Sequence, residues 1–271
     1  MRRSFQPPLK SWKPEGFQGI AHVTSFEAAL ELCQLLCSVG LIKFPRTTHL
    51  LNLGAVAADD IVAESPASAP IYGSERVVIT EKMDGANLGF SLSPSRALLV
   101  QNRSHYVHSE DHVQFKALDS WTAEHRESLY VILDRDNSFP ERYVLYGEWM
   151  AATHSIAYTT LETLFYAFDL FDRVTNTFAS RAVLEQTLTN TNIKLTPVLN
   201  VCDRIPTNEA LSQMVRQRSH FYPGPVEGIY LKVENDQVVR RRGKVVRGDF
   251  IAGNDHWTKG IIRWNVVQNS V

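Results

Sequence analysis

The feature that most constrains the fold is a lysine placed between two β-favouring runs. Residues 76–80 (RVVIT) and 88–92 (LGFSL) are rich in β-branched and apolar side chains, and residues 81–87 (EKMDGAN) separate them. Asp-Gly pairs favour tight turns between strands. We therefore predict that Lys82 ends a strand and that the turn at Asp84 and Gly85 starts a β-hairpin.

Composition places the chain among ordinary globular proteins. Its 271 residues are 44% hydrophobic and 21% charged, enough to bury a large core. No apolar run is long enough to span a bilayer, and no signal peptide opens the sequence. We predict a soluble intracellular protein with no membrane partner, in which Cys33, Cys37 and Cys202 are free thiols.

The charge balance excludes a global attraction to polyanions. The formal net charge is -1, so any surface that binds nucleic acid must be local. The densest basic run is residues 240–247 (RRRGKVVR). Arg240, Arg241 and Arg242 are typical of a solvated run, and they are also candidates for contact with a nucleic-acid backbone.

Secondary-structure signals follow the whole chain. Residues 1–23 are predicted to be an irregular arm, residues 24–37 to contain a capped helix, and residues 55–75 to be a mobile connection. Further strands are expected at 88–92, 97–101, 142–150, 164–172, 225–233 and 238–240, and helices at 109–133, 179–190 and 207–219. Hairpins with interspersed helices indicate an α+β fold with mostly antiparallel sheets.

Three histidines have a spacing that invites a zinc interpretation. His105, His108 and His112 lie one or two helical turns apart. No cysteine or acidic residue nearby completes a closed ligand set. We therefore do not predict a metal site there.

Six short motifs occur in the order found in covalent nucleotidyltransferases, the superfamily of polynucleotide ligases and mRNA capping enzymes. The first is Lys-x-Asp-Gly-x-Asn at residues 82–87, which resembles motif I. The others that resemble the superfamily's motifs are Asn102-Arg103, residues 146–148 (YGE), 165–169 (FYAFD), 227–232 (EGIYLK) and 243–247 (GKVVR). Each motif is weak alone, but six in order at predicted strands are specific.

Two stretches favour one branch of the superfamily. Residues 43–50 (KFPRTTHL) and 243–250 (GKVVRGDF) look like those of ATP-dependent RNA ligases. The resemblance implies an ATP-grasp-like nucleotidyltransferase domain, here an adenylyltransferase domain over residues 43–271. Residues 1–42 are then expected to be an arm and a helix packed on it. Because only 27 residues follow Lys244, we expect no C-terminal OB-fold.

The resemblance also implies roles around the nucleotide. Lys82 would attack the α-phosphorus of ATP and carry AMP covalently. Glu81 and the backbone around it would meet the adenine edge, and Phe168 would stack on the adenine ring. Arg103 and Glu148 would contact the ribose.

The remaining roles concern metal and phosphate. By the same resemblance Glu148 and Glu227 are the expected ligands of Mg²⁺ (or Mn²⁺), while Lys232 and Lys244 would contact the α-phosphate. A lysine amine attacks only when unprotonated, and nearby cations lower its pKa. Residues with weaker claims to orientation, phosphate or the RNA end are Asp84, Asn87, Arg247, Arg46 and His49.

One geometric condition accompanies these assignments. Glu227 and Lys232 have opposite parity, so in a regular strand their side chains face opposite sides of the sheet. Both can reach a nucleotide only if one of them lies beyond the strand end or a bulge intervenes, for which Gly228 is a suitable place.

The sequence therefore predicts a monomeric ATP-dependent RNA ligase, of the kind used in RNA repair. It would join a 5′-phosphate to a 3′-hydroxyl through a lysyl-AMP enzyme and an adenylylated RNA end. Three alternatives stay open: a DNA or DNA–RNA nick ligase, a GTP-using capping enzyme, and a nucleic-acid-binding pseudoenzyme with the same fold.

Overall fold

A computed structural model describes residues 25, 40–54, 62, 75–250 and 262–268. Most of the arm and helix predicted for residues 1–42, and most of the connection predicted for 55–75, lie outside these residues. Within the part that is described, no helix is both long and apolar enough to cross a bilayer.

The described residues form a mixed α+β structure with mostly antiparallel strands. In chain order the strands are β1 (His49–Leu51), β2 (Arg76–Lys82), β3 (Ala86–Leu92), β4 (Leu98–Gln101), β5 (Tyr143–Trp149), β6 (Phe165–Asp172), β7 (Thr177–Phe178), β8 (Lys194–Leu195), β9 (Val198–Cys202), β10 (Gly228–Glu234) and β11 (Val239–Val246). The helices are α1 (Leu118–Glu124), α2 (Arg126–Leu133), α3 (Arg181–Leu188) and α4 (Asn208–Met214), with 3₁₀ turns at Val113–Phe115 and Pro140–Arg142.

The first sheet has the strand order β1-β11-β10-β2-β9, and only β1 and β11 run parallel. Alternate residues of its central strands face opposite sides. The outer face is apolar and packs with Leu211 of α4. We call the other side the inner face; it carries Lys82, Tyr230, Lys232, Arg242 and Lys244, which the register of β2, β10 and β11 aligns in adjacent rows.

The second sheet has the order β4-β3-β5-β6-β7, with β8 parallel to β6. One side forms the largest core, in which Leu88, Phe90 and Leu145 pack with Trp121 of α1 and Leu129 of α2. The opposite side faces the inner face of the first sheet. The candidate active-site residues lie between the two sheets.

The predicted hairpin after Lys82 is wrong, although both of its strands exist. β2 pairs with β10 on one edge and β9 on the other, while β3 pairs with β4 and β5. Because both edges of β2 are occupied, β3 cannot pair with it. Residues 83–85 instead carry the chain from the first sheet to the second, where a Cβ at Gly85 would lie 2.5 Å from the Trp149 carbonyl oxygen.

Other expectations are confirmed with shifted boundaries. The hairpin of β3 and β4 forms as predicted. The helical region at 109–133 is divided into the first 3₁₀ turn, α1 and α2, and the basic run at 240–247 lies mostly in the single strand β11.

The parity condition is met at the start of β10. The strand begins at Gly228, so Glu227 precedes it and is free of the strand's alternation. A Cβ at Gly228 would overlap the Val245 carbonyl oxygen. A side chain at this position is therefore incompatible with the close approach of β10 and β11.

Candidate active site

Lys82 is the last residue of β2 and points to the inner face. Its cross-strand neighbour is Gly228, which has no side chain to fill the space beside it. The Lys82 ammonium forms an ion pair with Glu227, and the lysine side chain is 17% exposed. The end of β2 therefore carries a lysine whose side chain is mostly buried and whose amine is held by a carboxylate.

The surroundings keep this amine protonated. Burial lowers the pKa of Lys82, but the carboxylates of Glu227 and Glu148 and the Tyr230 hydroxyl raise it, and the net effect is a pKa well above its usual value. Attack by the amine therefore requires that the ion pair with Glu227 be weakened first.

Two carboxyl groups crowd the lysine and oppose each other's ionisation. Burial raises the pKa of Glu148 to about 8; Lys82 counteracts this, and Glu227 and Asp84 add to it. Burial likewise raises the pKa of Glu227 to about 7, against the influence of Lys82. The site is thus short of positive charge when these groups ionise.

Two buried oxygen atoms of this site lack a hydrogen-bond partner among the described residues: Glu227 Oε2 and Asn87 Oδ1. Asn87 lies directly across from Glu148 in the register of β3 and β5. A buried oxygen without a hydrogen-bond partner costs free energy in the folded state. Mg²⁺ and Mn²⁺ prefer oxygen ligands, so both atoms suit such a cation.

The donor set fits a divalent cation that is shared with a substrate. No cluster of three or more His, Cys, Asp or Glu ligands occurs within the described ranges. Mg²⁺ commonly takes one or two carboxylates and completes its shell with phosphate oxygens and water. Glu148 and Glu227 would supply those two carboxylates.

Lys244 adds positive charge to the same face. It lies across from Tyr230 in β10, whose ring centroid is 6.0 Å from Lys82 Nζ. The charge of Lys244 acts to lower the pKa of Glu227. The predicted pair of Lys82 and Lys244 is thus brought to one surface.

Lys232 has a different environment. Its Nζ donates to the Phe168 carbonyl oxygen and, at 2.9 Å, to Asp169 Oδ1. Asp169 Oδ2 accepts a hydrogen bond from Arg242 Nη1 at 2.8 Å. Burial lowers the pKa of Lys232. Two of its three ammonium protons are therefore used inside the protein, and one remains for the predicted phosphate contact.

A β-bulge in β6 builds this network. Tyr146 pairs with Asp169 and Gly147 pairs with Ala167, so Phe168 has no partner in β5. The extra residue lets both Phe168 and Asp169 face the first sheet. Phe168 is 7% exposed and its ring packs 5.2 Å from that of Phe44.

Asp169 was missed by sequence reasoning, although it left a signal. It is the only charged residue in the interior of the apolar strand β6, and it is 1% exposed. Buried carboxylates require cationic or hydrogen-bonding partners. Its partners Lys232 and Arg242 come from the other sheet.

Glu81 is a correction. Its carboxylate points to the outer face, where it accepts hydrogen bonds from Ser219 Oγ and from the backbone N–H of His220. Because it precedes Lys82 in the same strand, its side chain must face the opposite side. The Glu81 side chain therefore does not lie on the face that carries Lys82, and the contact of the adenine edge with the backbone around Glu81 stays a prediction.

Asp84 holds the loop between β5 and β6. Its Oδ2 accepts from the backbone N–H groups of Ser155 and Ile156 at 2.7 and 2.9 Å, and its own N–H donates to Tyr158 Oη. The Gly85 N–H donates to Glu148 Oε1 at 3.2 Å. The turn after Lys82 is thus fixed to the segment that follows Glu148.

Asn265 supports the same loop from the C-terminal segment. Its Nδ2 donates to the carbonyl oxygens of Met150 and Ala152, and its Oδ1 accepts from the Tyr158 N–H and Thr153 Oγ1, at 2.8–3.1 Å. This side chain is fully satisfied and 9% exposed. Nothing in the sequence near Asn265 signals the contact.

The other predicted residues are not gathered around Lys82. Arg103 is exposed after β4, and Arg46 is exposed before β1. His49 is buried beside Lys244 in the parallel pairing of β1 and β11. Arg247 follows β11, where it donates to the Val226 carbonyl oxygen at 2.7 Å and to Asp249 Oδ2 at 2.9 Å.

One family of known proteins matches most of the chain. The family model described as RNA ligase matches residues 75–246, well over half of the chain. No curated protein matches the sequence.

Solved structures of Naegleria gruberi RNA ligase are similar to part of the chain. A variant with ATP and Mn is 16% identical with a TM-score of 0.49, the protein with PPi is 20% identical with 0.49, and a variant with AMP and Mn is 17% identical with 0.48. Each match covers 64% of this chain and 50% of the other. The chain thus spans about half the length of the solved proteins that it matches.

Proposed function

Since the chain belongs to the RNA ligase family, we propose that it is an ATP-dependent ligase joining a 5′-phosphate RNA end to a 3′-hydroxyl end. The observation that carries this proposal is the ion pair of the Lys82 amine with Glu227, with Glu148 and Lys244 near the same amine. We assign this activity to residues 43–271 and expect it from a monomer.

In the first step Lys82 Nζ attacks the α-phosphorus of ATP. A P–N bond forms and the bond to pyrophosphate breaks, while the ammonium releases two of its three protons to water and keeps the third on the phosphoramidate nitrogen. A divalent cation on Glu148 and Glu227 would neutralise phosphate charge and compete with the ammonium for the Glu227 carboxylate. Lys244 adds positive charge, which favours loss of the Lys82 proton and stabilises the α-phosphate oxygens.

Other residues would hold the nucleotide in line for attack. Phe168 of the second sheet and Tyr230 of the inner face are the aromatic rings that we assign to the adenine. Arg103 and Glu148 are assigned to the ribose, and the third proton of Lys232 to the α-phosphate. Asn87, with its unpaired Oδ1, is assigned to the water shell of the cation or to the nucleotide.

Two further transfers complete the reaction. The RNA 5′-phosphate attacks the AMP phosphorus, the P–N bond breaks, and Lys82 is regenerated beside a pyrophosphate-linked RNA end. The 3′-hydroxyl of the second strand then attacks the RNA 5′-phosphorus, and AMP leaves. Each transfer forms one P–O bond and breaks one bond at the same phosphorus.

Intact mass spectrometry tests the first transfer. After incubation with ATP and Mg²⁺ or Mn²⁺, wild-type protein should gain the mass of one AMP, and Lys82→Ala should gain none. Peptide mapping then locates the adduct. If neither metal produces a gain, and the protein as purified carries no AMP, the ligase proposal fails.

Strand joining tests the substrate. Strands that end in a 3′ ribose should be sealed faster than matched strands that end in deoxyribose. Equal rates would favour a nick ligase without RNA selectivity. A mass gain with GTP in place of ATP would favour capping chemistry.

A further inference from the structure

Two neighbouring arginines of the basic run at residues 240–247 form ion pairs within the protein. Arg242 pairs with buried Asp169 at 2.8 Å, and Arg241 Nη2 lies 3.6 Å from Glu75 Oε2. Arg240 is exposed. Since the net charge is -1, contact with a polyanion depends on another local concentration of positive charge.

A pocket of about 780 Å³ beyond α4 provides such a concentration. Arg216, Arg218 and Arg247 line it, and Asp249 is the one acid among its lining residues. Asp249 accepts a hydrogen bond from Arg247 and is 76% exposed. The lining therefore carries a formal charge of two positive units.

Two of these arginines are available to a ligand. Within the described residues, Arg216 and Arg218 have no side-chain hydrogen bond or ion pair, and both side chains are exposed. Their backbone is nevertheless ordered by a narrow turn: Val226 N–H donates to Gln217 O, and Ser219 N–H to Gly224 O, at 2.9 and 2.8 Å. The turn therefore holds in place the backbone from which the two arginine side chains extend.

The pocket lies on the outer side of the first sheet. It includes Leu53 and Val215, which belong to the outer-face core. Arg247 joins it to the active-site edge, because its N–H donates to the Glu227 carbonyl oxygen at 3.1 Å. The phosphates of an ATP molecule reacting with Lys82 would lie on the inner face, across the sheet from this pocket.

We propose that this arginine pocket binds backbone phosphates of the RNA substrate, away from the reacting end. The inference rests on the proposed function for its choice of polyanion. Planar guanidinium groups bind phosphate oxygens in pairs, which suits Arg216 and Arg218. Placement across the sheet favours the RNA chain over the ATP triphosphate.

The test is RNA binding by the full chain without ATP. Fluorescence anisotropy with a labelled 5′-phosphorylated single-stranded RNA should show about tenfold weaker binding for the Arg216→Ala/Arg218→Ala double variant. The slope of log affinity against log salt should fall by about 1.4 in magnitude, the loss of two phosphate contacts on a single strand. Adenylylation of Lys82 by ATP should be unaffected.

Matched variants separate this site from a general charge effect. Arg240→Ala removes an equally exposed arginine outside the pocket and should change affinity less than twofold. Arg216→Lys/Arg218→Lys should restore most of the salt slope. Asp249→Asn should tighten binding, because it removes the one negative charge of the lining.

The proposal is overturned if the double alanine variant keeps wild-type affinity and slope, or if Arg240→Ala weakens binding equally. It is also overturned if the double variant slows adenylylation and inorganic pyrophosphate displaces the RNA, because the pocket would then serve the triphosphate. If the wild-type protein forms no lysine adduct, that result counts against the proposed function. The RNA-binding measurement still tests the arginine pocket.

Discussion

Lys82 and Lys232 lie on the same face of the same sheet, yet their surroundings are opposite. Lys232 donates to Asp169 and to the Phe168 carbonyl oxygen, and Arg242 donates to the other carboxylate oxygen of Asp169. Lys82 lies among more carboxylates than it can neutralise, and Glu227 keeps an unpaired oxygen among the described residues. Two of the three Lys232 protons are already bonded inside the protein, whereas the carboxylates around Lys82 gain from a bound cation.

This difference separates supporting residues from reacting ones. A buried network of hydrogen bonds and charges holds its side chains in place. Removing one member leaves another charge buried without that partner. A crowded group of carboxylates stores unfavourable energy that a cation or phosphate complex relieves. The inner face thus contains a rigid half around Lys232 and a reactive half around Lys82.

The largest effect is expected from Lys82→Arg. Guanidinium keeps the positive charge beside Glu227 but does not act as the nucleophile, so adenylylation should be abolished. The free energy of unfolding, measured by urea titration, should stay within about 1 kcal/mol of wild type. An adduct on the arginine variant would show that another residue reacts.

Replacing Lys232 should affect stability more than Lys82→Arg does, and adenylylation less. Lys232→Met leaves Asp169 Oδ1 and the Phe168 carbonyl oxygen without their buried donor, and we expect the free energy of unfolding to fall by about 3 kcal/mol, with slower adenylylation. The double variant Lys232→Met/Asp169→Asn should lose less than the two single changes together. Strict additivity would show that the two side chains do not interact.

Glu148→Gln should make the protein more stable and less active. Because folding raises the pKa of Glu148 from its ordinary value of 4.5 to about 8, the folded state binds more protons between these values. The free energy of unfolding therefore falls as pH rises through this window. At pH 8 the variant should be more stable by about 2 kcal/mol, a gain that vanishes near pH 4.5.

The same carboxyl group gives the activity an opposite pH dependence. Metal and nucleotide binding require ionised Glu148 and Glu227, so adenylylation should increase as pH rises from about 6 to 8. Glu148→Gln should lower the rate about 100-fold and weaken this dependence. A flat wild-type profile in single-turnover measurements would contradict the assignment.

The smallest effect is expected from Asn265, which touches the site only through the loop at 150–158. Asn265→Asp keeps the shape of the side chain but replaces its amide donor with a carboxylate oxygen, which repels the carbonyl oxygens of Met150 and Ala152. Adenylylation should slow about tenfold in kcat with little change in KM for ATP. Asn265→Ser, which retains one donor, should recover part of the rate. A change in KM alone would place Asn265 in the binding site itself.

Local patterns were enough to predict the strand ending at Lys82, the β3–β4 hairpin and the buried strand β6. Alternation within a strand also showed that Glu227 and Lys232 share a face only if one lies beyond the strand end or a bulge intervenes, and Glu227 precedes β10. The same rule excludes Glu81 from the inner face, once Lys82 is placed there. That error came from carrying over a role without applying strand geometry to it.

The remaining differences depend on distant partners. Whether β3 pairs with β2 depends on which strands occupy the edges of β2, and β9 and β10 come more than a hundred residues later. The bulge at Phe168 depends on its register with β5. Asn265 contacts carbonyl groups at positions 150 and 152, a separation that no local pattern records.

The short crossing at residues 83–85 has a mechanical consequence. The chain leaves Lys82 in one sheet and enters the other at Ala86, so there is almost no slack between them. A substrate that draws the two sheets together would pull directly on the backbone that carries the amine. A linker of a dozen residues would absorb such a displacement, whereas one of three residues would transmit it to Lys82.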